Sequence, residues 1–121
     1  SPEKFVVNFM GDAAFGMTGL DFETAVRSGI PILTVVLNNS TMAIETAHMA
    51  SSHKLYSTRN LGGDYADMAR AMGGWSERVD DPEEIQDAFS RAKRATENGH
   101  SALLEFITSE EQDFSFRGAL R

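Results

Sequence analysis

Two polar pairs stand at the ends of apolar runs in this sequence. Gly11-Asp12 follows Phe5-Val6-Val7-Asn8-Phe9-Met10, and Asn38-Asn39 follows Ile32-Leu33-Thr34-Val35-Val36-Leu37. Both runs are short, rich in β-branched and aromatic residues, and bounded by Gly or Pro, which predicts buried strands. A helical pattern separates them, so the three make a βαβ unit with parallel strands and a right-handed crossover. Asp12 and Asn39 are 27 positions apart, yet each leaves the carboxyl end of its strand, the edge at which open α/β sheets bind ligands. A carboxylate, an amide and the small-residue loop from Gly11 through Ala13 and Ala14 suit a hard cation that carries a phosphate. Magnesium takes oxygen ligands in near-octahedral geometry, keeps some water, and is held by one or two carboxylates together with substrate phosphates. The Asp12 carboxylate, the Asn39 side-chain oxygen and a backbone carbonyl just beyond it would be the protein ligands. The amides of Ala13 and Ala14, at a helix start, would meet the phosphates. The competing structural reading makes Asp12 a helix cap and Asn38-Asn39 a strand-ending turn. Asn38, adjacent to the ligand, points elsewhere and is assigned an orienting or hydrogen-bonding role.

The elements that must position these groups follow from periodicity. Thr18-Gly19-Leu20-Asp21 has the form of a capping box and predicts a helix from near Gly19, with Phe22, Ala25 and Val26 on one face and Gly29 and Pro31 as the stop. Thr41 to Ala50 reads as a short helix, and Ser51 to Gly63, rich in Ser, Thr, Asn and Gly, as loop. Asp64 caps a helix whose Tyr65, Met68, Ala69 and Met72 share a face, ended by Gly73-Gly74. Trp75 to Val79 alternates as a strand. Asp81-Pro82-Glu83-Glu84 starts a further helix with Ile85, Ala88, Phe89, Ala92 and Ala95 as its buried stripe, and Gly99 closes it. Ala102 to Ile107 is a last strand, and the tail from Ser109 to Arg121 has no periodicity. The pattern β-α-β-α-α-β-α-β predicts an α/β fold, an open, mainly parallel sheet with helices on both faces.

Gly11-Asp12, then a helix, a strand and Asn38-Asn39, resembles the cofactor motif of thiamine-diphosphate-dependent enzymes, Gly-Asp-Gly through Asn-Asn. The string GDAAFGMTGLDFET resembles the oxalyl-CoA decarboxylase and 2-hydroxyacyl-CoA lyase branch and the acetolactate synthase-like enzymes around it. The likeness extends over the whole chain as the cofactor-binding, or pyrophosphate, domain. Ala13 stands where the motif has its second Gly, which puts a methyl group where backbone would approach a diphosphate. The resemblance implies thiamine diphosphate and Mg2+ as cofactors, with Asp12, Asn39 and the Thr41 backbone carbonyl on the metal, and Gly11, Ala13, Ala14 and Met42 beside them at the cofactor. It also implies a catalytic position for Glu45, six residues past Asn39, where the residue pattern alone gives an exposed helix acid. The glutamate that activates the aminopyrimidine is implied to lie on a separate pyrimidine-binding domain, usually across a subunit interface, in an oligomer of like subunits. No residue here matches it. The chain is therefore expected to be a fragment or split subunit, inactive by itself, of a lyase or carboligase acting on a small-molecule substrate, a 2-keto acid or an acyl-CoA.

Composition narrows the classes. The chain has 121 residues, 41% of them apolar and 24% charged, enough for one domain with a core. A net charge of −7 argues against nucleic-acid binding, which needs clustered Lys and Arg. No apolar run approaches the roughly 20 residues that span a bilayer, no signal segment opens the chain, and Cys is absent, which together point away from membranes and to the cytosol. His48, His53 and His100 are spaced unlike a metal set. Two rivals remain: a degenerate module of the same fold that serves assembly, and a flavodoxin-like or response-regulator fold, which lacks its acidic pair and late-strand Lys.

Overall fold

The computed structural model describes residues 3–111. Four strands, β1 (Val7–Gly11), β2 (Leu33–Asn38), β3 (Trp75–Val79) and β4 (Ala102–Ile107), form one sheet in the order β1-β2-β4-β3, with every neighbouring pair parallel. Five helices connect them: α1 (Asp12–Thr18), α2 (Leu20–Arg27), α3 (Ala50–Tyr56), α4 (Tyr65–Ala71) and α5 (Ile85–Glu97). The expected α/β architecture with helices on both faces is the one observed.

Strand alternation sorts the core into two clusters. Leu33 and Val35 of β2, with Ala102, Leu104 and Phe106 of β4, face α5 and pack on Ala88, Ala92 and Ala95. Val36 and Leu103 face the other way, onto Phe15 of α1, Phe22 of α2, and Tyr65 and Ala69 of α4. Small residues along α5 let the helix lie close to the sheet. Aromatic residues pack on the opposite face, where Phe15 and Tyr65 meet edge to face with centroids 5.5 Å apart.

Several local expectations change. The run from Phe5 to Met10 is not a buried strand: β1 is an edge strand, its Asn8 and Phe9 are exposed, and only Val7 and Met10 are half-buried. The helix expected from near Gly19 is α2, but a separate helix, α1, precedes it from Asp12. Thr18 ends α1 and donates its hydroxyl to the Ala14 carbonyl, and α2 starts with no side-chain cap. The joint between them needs glycine, because a Cβ on Gly19 would lie 2.6 Å from the Phe15 carbonyl oxygen and 2.7 Å from its ring. The segment expected as loop from Ser51 contains all of α3 but its first residue, and the expected helix after Thr41 is reduced to a 3-10 turn at Thr46–His48. Asp64 does cap α4, its carboxylate accepting from the Asp67 amide at 2.7 Å. Of the aperiodic tail, residues 112–121 lie outside the described residues, as do residues 1 and 2. No helix among the described residues is long and apolar enough to cross a membrane.

Candidate functional site

The carboxyl ends of β1 and β2 meet as neighbours, Gly11 pairing with Leu37. Asp12, the first residue of α1, is 4% exposed. One of its carboxylate oxygens accepts from the Ala13 amide at 2.8 Å, and the other accepts from the Ser40 amide, also at 2.8 Å. The two polar termini that the sequence places 27 positions apart are thus joined by a direct hydrogen bond one residue beyond Asn39. Among the described residues no Lys or Arg forms an ion pair with Asp12.

The turn that receives Asp12 is built by its own side chains. Asn39 Oδ1 accepts from the Thr41 amide at 3.0 Å. Asn38 is buried, and its Oδ1 accepts from the Ser40 amide at 2.9 Å and from the Ser40 hydroxyl at 3.2 Å. Ser40 between them has φ of 57°, the left-handed conformation that costs a non-glycine residue roughly 1–2 kcal/mol. Such a residue persists where its surroundings over-determine it. Here its amide is shared between two side-chain acceptors that come from different elements.

Behind the turn lies a residue that the sequence reading passed over as part of a strand. Glu105 of β4 is fully buried, with 0% exposure, and projects on the same face as Asn38. Its Oε1 accepts from Asn38 Nδ2 at 2.6 Å, and its Oε2 accepts from the Ala66 amide in the first turn of α4 at 2.9 Å. Arg78, half-exposed on β3, approaches Oε1 at 3.9 Å and the N-cap Asp64 at 3.5 Å. Tyr65 lies by both carboxylates: burial, then the charges of Asp12 and Glu105, push its phenol above the ordinary value of 10.0. The signal for Glu105 was available as the one charge in Ala102-Leu103-Leu104-Glu105-Phe106-Ile107. A carboxylate in the middle of a buried strand has to have partners.

A second clamp holds the turn from the far side. Thr41 Oγ1 donates to the Arg59 carbonyl at 3.1 Å and accepts from Arg59 Nε at 3.0 Å. The Met42 amide donates to the same carbonyl at 2.8 Å, and the Leu61 amide donates to the Ser40 carbonyl at 2.9 Å. Arg59 is in turn ion-paired with Glu110. The Thr41 side chain, to which the sequence assigned no task, therefore ties the turn to the segment after α3.

The donor set fits magnesium bound to a diphosphate. It offers one buried carboxylate without a cationic partner, an amide oxygen and backbone carbonyls, and a hard cation that brings phosphate oxygens needs few protein carboxylates. Among the described residues there is no cluster of three or more His, Cys, Asp or Glu that would make an all-protein cage. Gly11 is exposed and a Cβ there would meet no protein atom within 4 Å, so the strand end is open to a ligand. Ala13 and Ala14 are half-buried in the first turn of α1, and Met42 is half-buried beside Thr41. Glu45 is exposed, at the start of the 3-10 turn, and makes no capping bond with its side chain.

Comparison with known proteins bears on the family and the fold. The model of the family described as thiamine pyrophosphate enzyme, C-terminal TPP binding domain, matches residues 1–106. The acetolactate synthase large subunit IlvG of Mycobacterium tuberculosis is 32% identical over 121 residues, which is 98% of this chain and 22% of that protein. The sulfoacetaldehyde acetyltransferase of Alcaligenes xylosoxydans xylosoxydans is 28% identical over 123 residues, 97% of this chain and 20% of that protein. Among solved structures, the thiamine diphosphate-dependent 4-hydroxybenzoylformate decarboxylase of Rhodococcus jostii superposes with a TM-score of 0.71 at 22% identity, over 93% of this chain and 21% of that one. The chain thus spans about a fifth of the length of the relatives it matches.

Proposed function

The chain belongs to the C-terminal TPP-binding domains of thiamine pyrophosphate enzymes, and from that premise we propose that it holds thiamine diphosphate through magnesium at the β1/β2 edge. The Asp12 carboxylate, Asn39 Oδ1 and the Thr41 carbonyl are the metal's protein ligands, and the diphosphate and water complete its shell. The Ala14 amide would meet the phosphates, whereas the Ala13 amide is already committed to Asp12; Gly11 leaves room for them, and Met42 gives an apolar contact. When bound there, the cofactor would supply the nucleophile and the electron sink for making or breaking a C–C bond beside a carbonyl. What this chain contributes is grip and placement: Asp12 neutralises the cation, and the Ser40 turn keeps Asn39 and Thr41 in register with it.

The observation that carries this reading is the bond between Asp12 and the Ser40 amide, which joins the two halves of the motif across 28 residues. The intact enzyme would be a decarboxylase or carboligase acting on a 2-keto acid or a 2-hydroxyacyl- or oxalyl-CoA type substrate, a homo-oligomer in the cytoplasm. A second domain with the activating glutamate completes the site, and Glu45 is the acid assigned to the reacting centre. By itself the 121-residue chain anchors the cofactor without turnover.

Calorimetric titration of the intact protein tests this. Thiamine diphosphate should bind in magnesium and fail to bind in excess chelator, and Asp12→Ala should weaken binding more than about 100-fold, beyond the upper end of the range for residues that only support a metal ligand. Binding unchanged by chelator, or by Asp12→Ala, would overturn it. A protein that keeps its fold and binds no thiamine diphosphate would favour the non-catalytic module, for which the Ala13 methyl group at the diphosphate approach is the motive.

A further inference from the structure

We infer that Glu105 is a positioning residue for the metal turn: from the core of the sheet it fixes Asn38, and through Asn38 it holds Ser40 in the conformation that presents its amide to Asp12. Its functional consequence rests on the magnesium reading above. The connection is continuous in hydrogen bonds. Glu105 Oε1 accepts from Asn38 Nδ2, Asn38 Oδ1 accepts from the Ser40 amide and hydroxyl, and the Ser40 amide also donates to Asp12 Oδ2. Each link constrains the next. An Asn side chain that donates to a carboxylate from its nitrogen must turn its oxygen outward, so Glu105 selects the one amide orientation in which Oδ1 faces the turn.

Three observations make this more than a buried structural acid. First, Glu105 stands alone as a charged side chain in β4 before the sheet edge, at 0% exposure, where an apolar residue would pack at less cost. Second, its other oxygen accepts from the Ala66 amide, which anchors it to the start of α4 and leaves the Asn38 bond as the link toward the candidate site. Third, the residue at the end of the relay is Ser40, held left-handed at φ 57°. Outer residues that orient metal ligands are worth 10- to 100-fold in affinity, which sets the size of the effect to expect.

The test uses the intact protein with Glu105→Gln, Asn38→Ala and the double variant. Two readouts are taken: amide hydrogen exchange without cofactor, and the magnesium concentration needed for half-maximal thiamine diphosphate binding. Glu105→Gln should speed exchange at Ser40 at least about 10-fold relative to Val35 and Leu104, which lie on the far face of the sheet. It should raise the magnesium requirement about 10-fold. Because Glu105 acts through Asn38, the double variant should be no worse than Asn38→Ala alone. Additive effects in the double variant, or Ser40 exchange that only follows the core amides, would overturn the inference. So would faster Ser40 exchange with the magnesium requirement unmoved. If Glu105→Gln fails to fold, Glu105→Met, of similar length and suited to an apolar strand, replaces it with the same expectations. A wild type that binds no thiamine diphosphate defeats the reading of function, whereas Ser40 exchange in that same sample still decides whether Glu105 holds the turn.

Discussion

The two faces of the sheet are built from different chemistry. On the α5 face the core sets Leu33, Val35, Leu104 and Phe106 against Ala88, Ala92 and Ala95, with no buried carboxylate or amide side chain in the cluster. The opposite face mixes Val36, Leu103, Phe15 and Phe22 with buried Asp12, Asn38 and Glu105. The same strands make both faces, since alternate residues of β2 and β4 point to opposite sides. An apolar face needs only volume and tolerates any close packing, whereas each polar group on the other face has to find a partner in one geometry. Stability and site precision are therefore divided between the two sides of one sheet.

Substitution on the apolar face gives the largest effect on folding and the sharpest test of that division. Leu104→Ala leaves a cavity beneath α5 and should destabilise the protein by about 2–5 kcal/mol in urea unfolding. The molecules that stay folded should bind cofactor with wild-type affinity. A large loss of affinity in that variant would mean that the faces are coupled and the comparison fails.

A smaller effect is expected at the boundary of the polar face. Asp64 caps α4, whose first turn carries the Ala66 amide bonded to Glu105. Asp64→Ala should cost about 1 kcal/mol, the usual value of an N-cap. If the helix start helps to fix Glu105, Ser40 exchange should quicken in this variant but remain at the wild-type rate in Leu104→Ala once both are corrected for global stability. Equal behaviour of the two would remove the distinction between the faces.

The sequence was most legible where one residue's type already states its environment. A β-branched run gave β2 and a short apolar one β4, the Asp-Pro-Glu-Glu string gave the start before α5, and Asp12 and Asn39 marked the edge where the two chain segments meet. It was least legible where tertiary placement decides. Phe5 to Met10 has the composition of a buried strand, yet strand order puts β1 at the edge, and order depends on the crossover that skips the position of β4. The start of α1 was missed because Gly11-Asp12 reads as a turn and the capping signal at Thr18 drew the boundary onward, although Asp12 begins the helix. Arg59 and Glu105 were overlooked because their partners, Thr41 and Asn38, are 18 and 67 residues away. No local spacing encodes such a pair.

The smallest expected effect belongs to Tyr65, which borders both chemistries, its ring packed on Phe15 and its phenol beside Asp12 and Glu105. Burial is the larger cause of its raised pKa and the two carboxylate charges add to it. The folded protein therefore keeps the phenolic proton to a higher pH than the unfolded chain, whose value is 10.0. Between that pH and the folded value the unfolded state binds fewer protons, so stability falls as pH rises through the window and is fully present below it. Urea midpoints for wild type and Tyr65→Phe should differ by a constant amount from pH 7 to 9, and the wild type should lose more above pH 10. Asp12→Asn should shrink that alkaline loss without abolishing it, because desolvation of the phenol remains when one charge is gone. An alkaline loss that vanished in Asp12→Asn would put charge ahead of burial at this boundary, and the polar face would then be governed by its ions rather than by its packing.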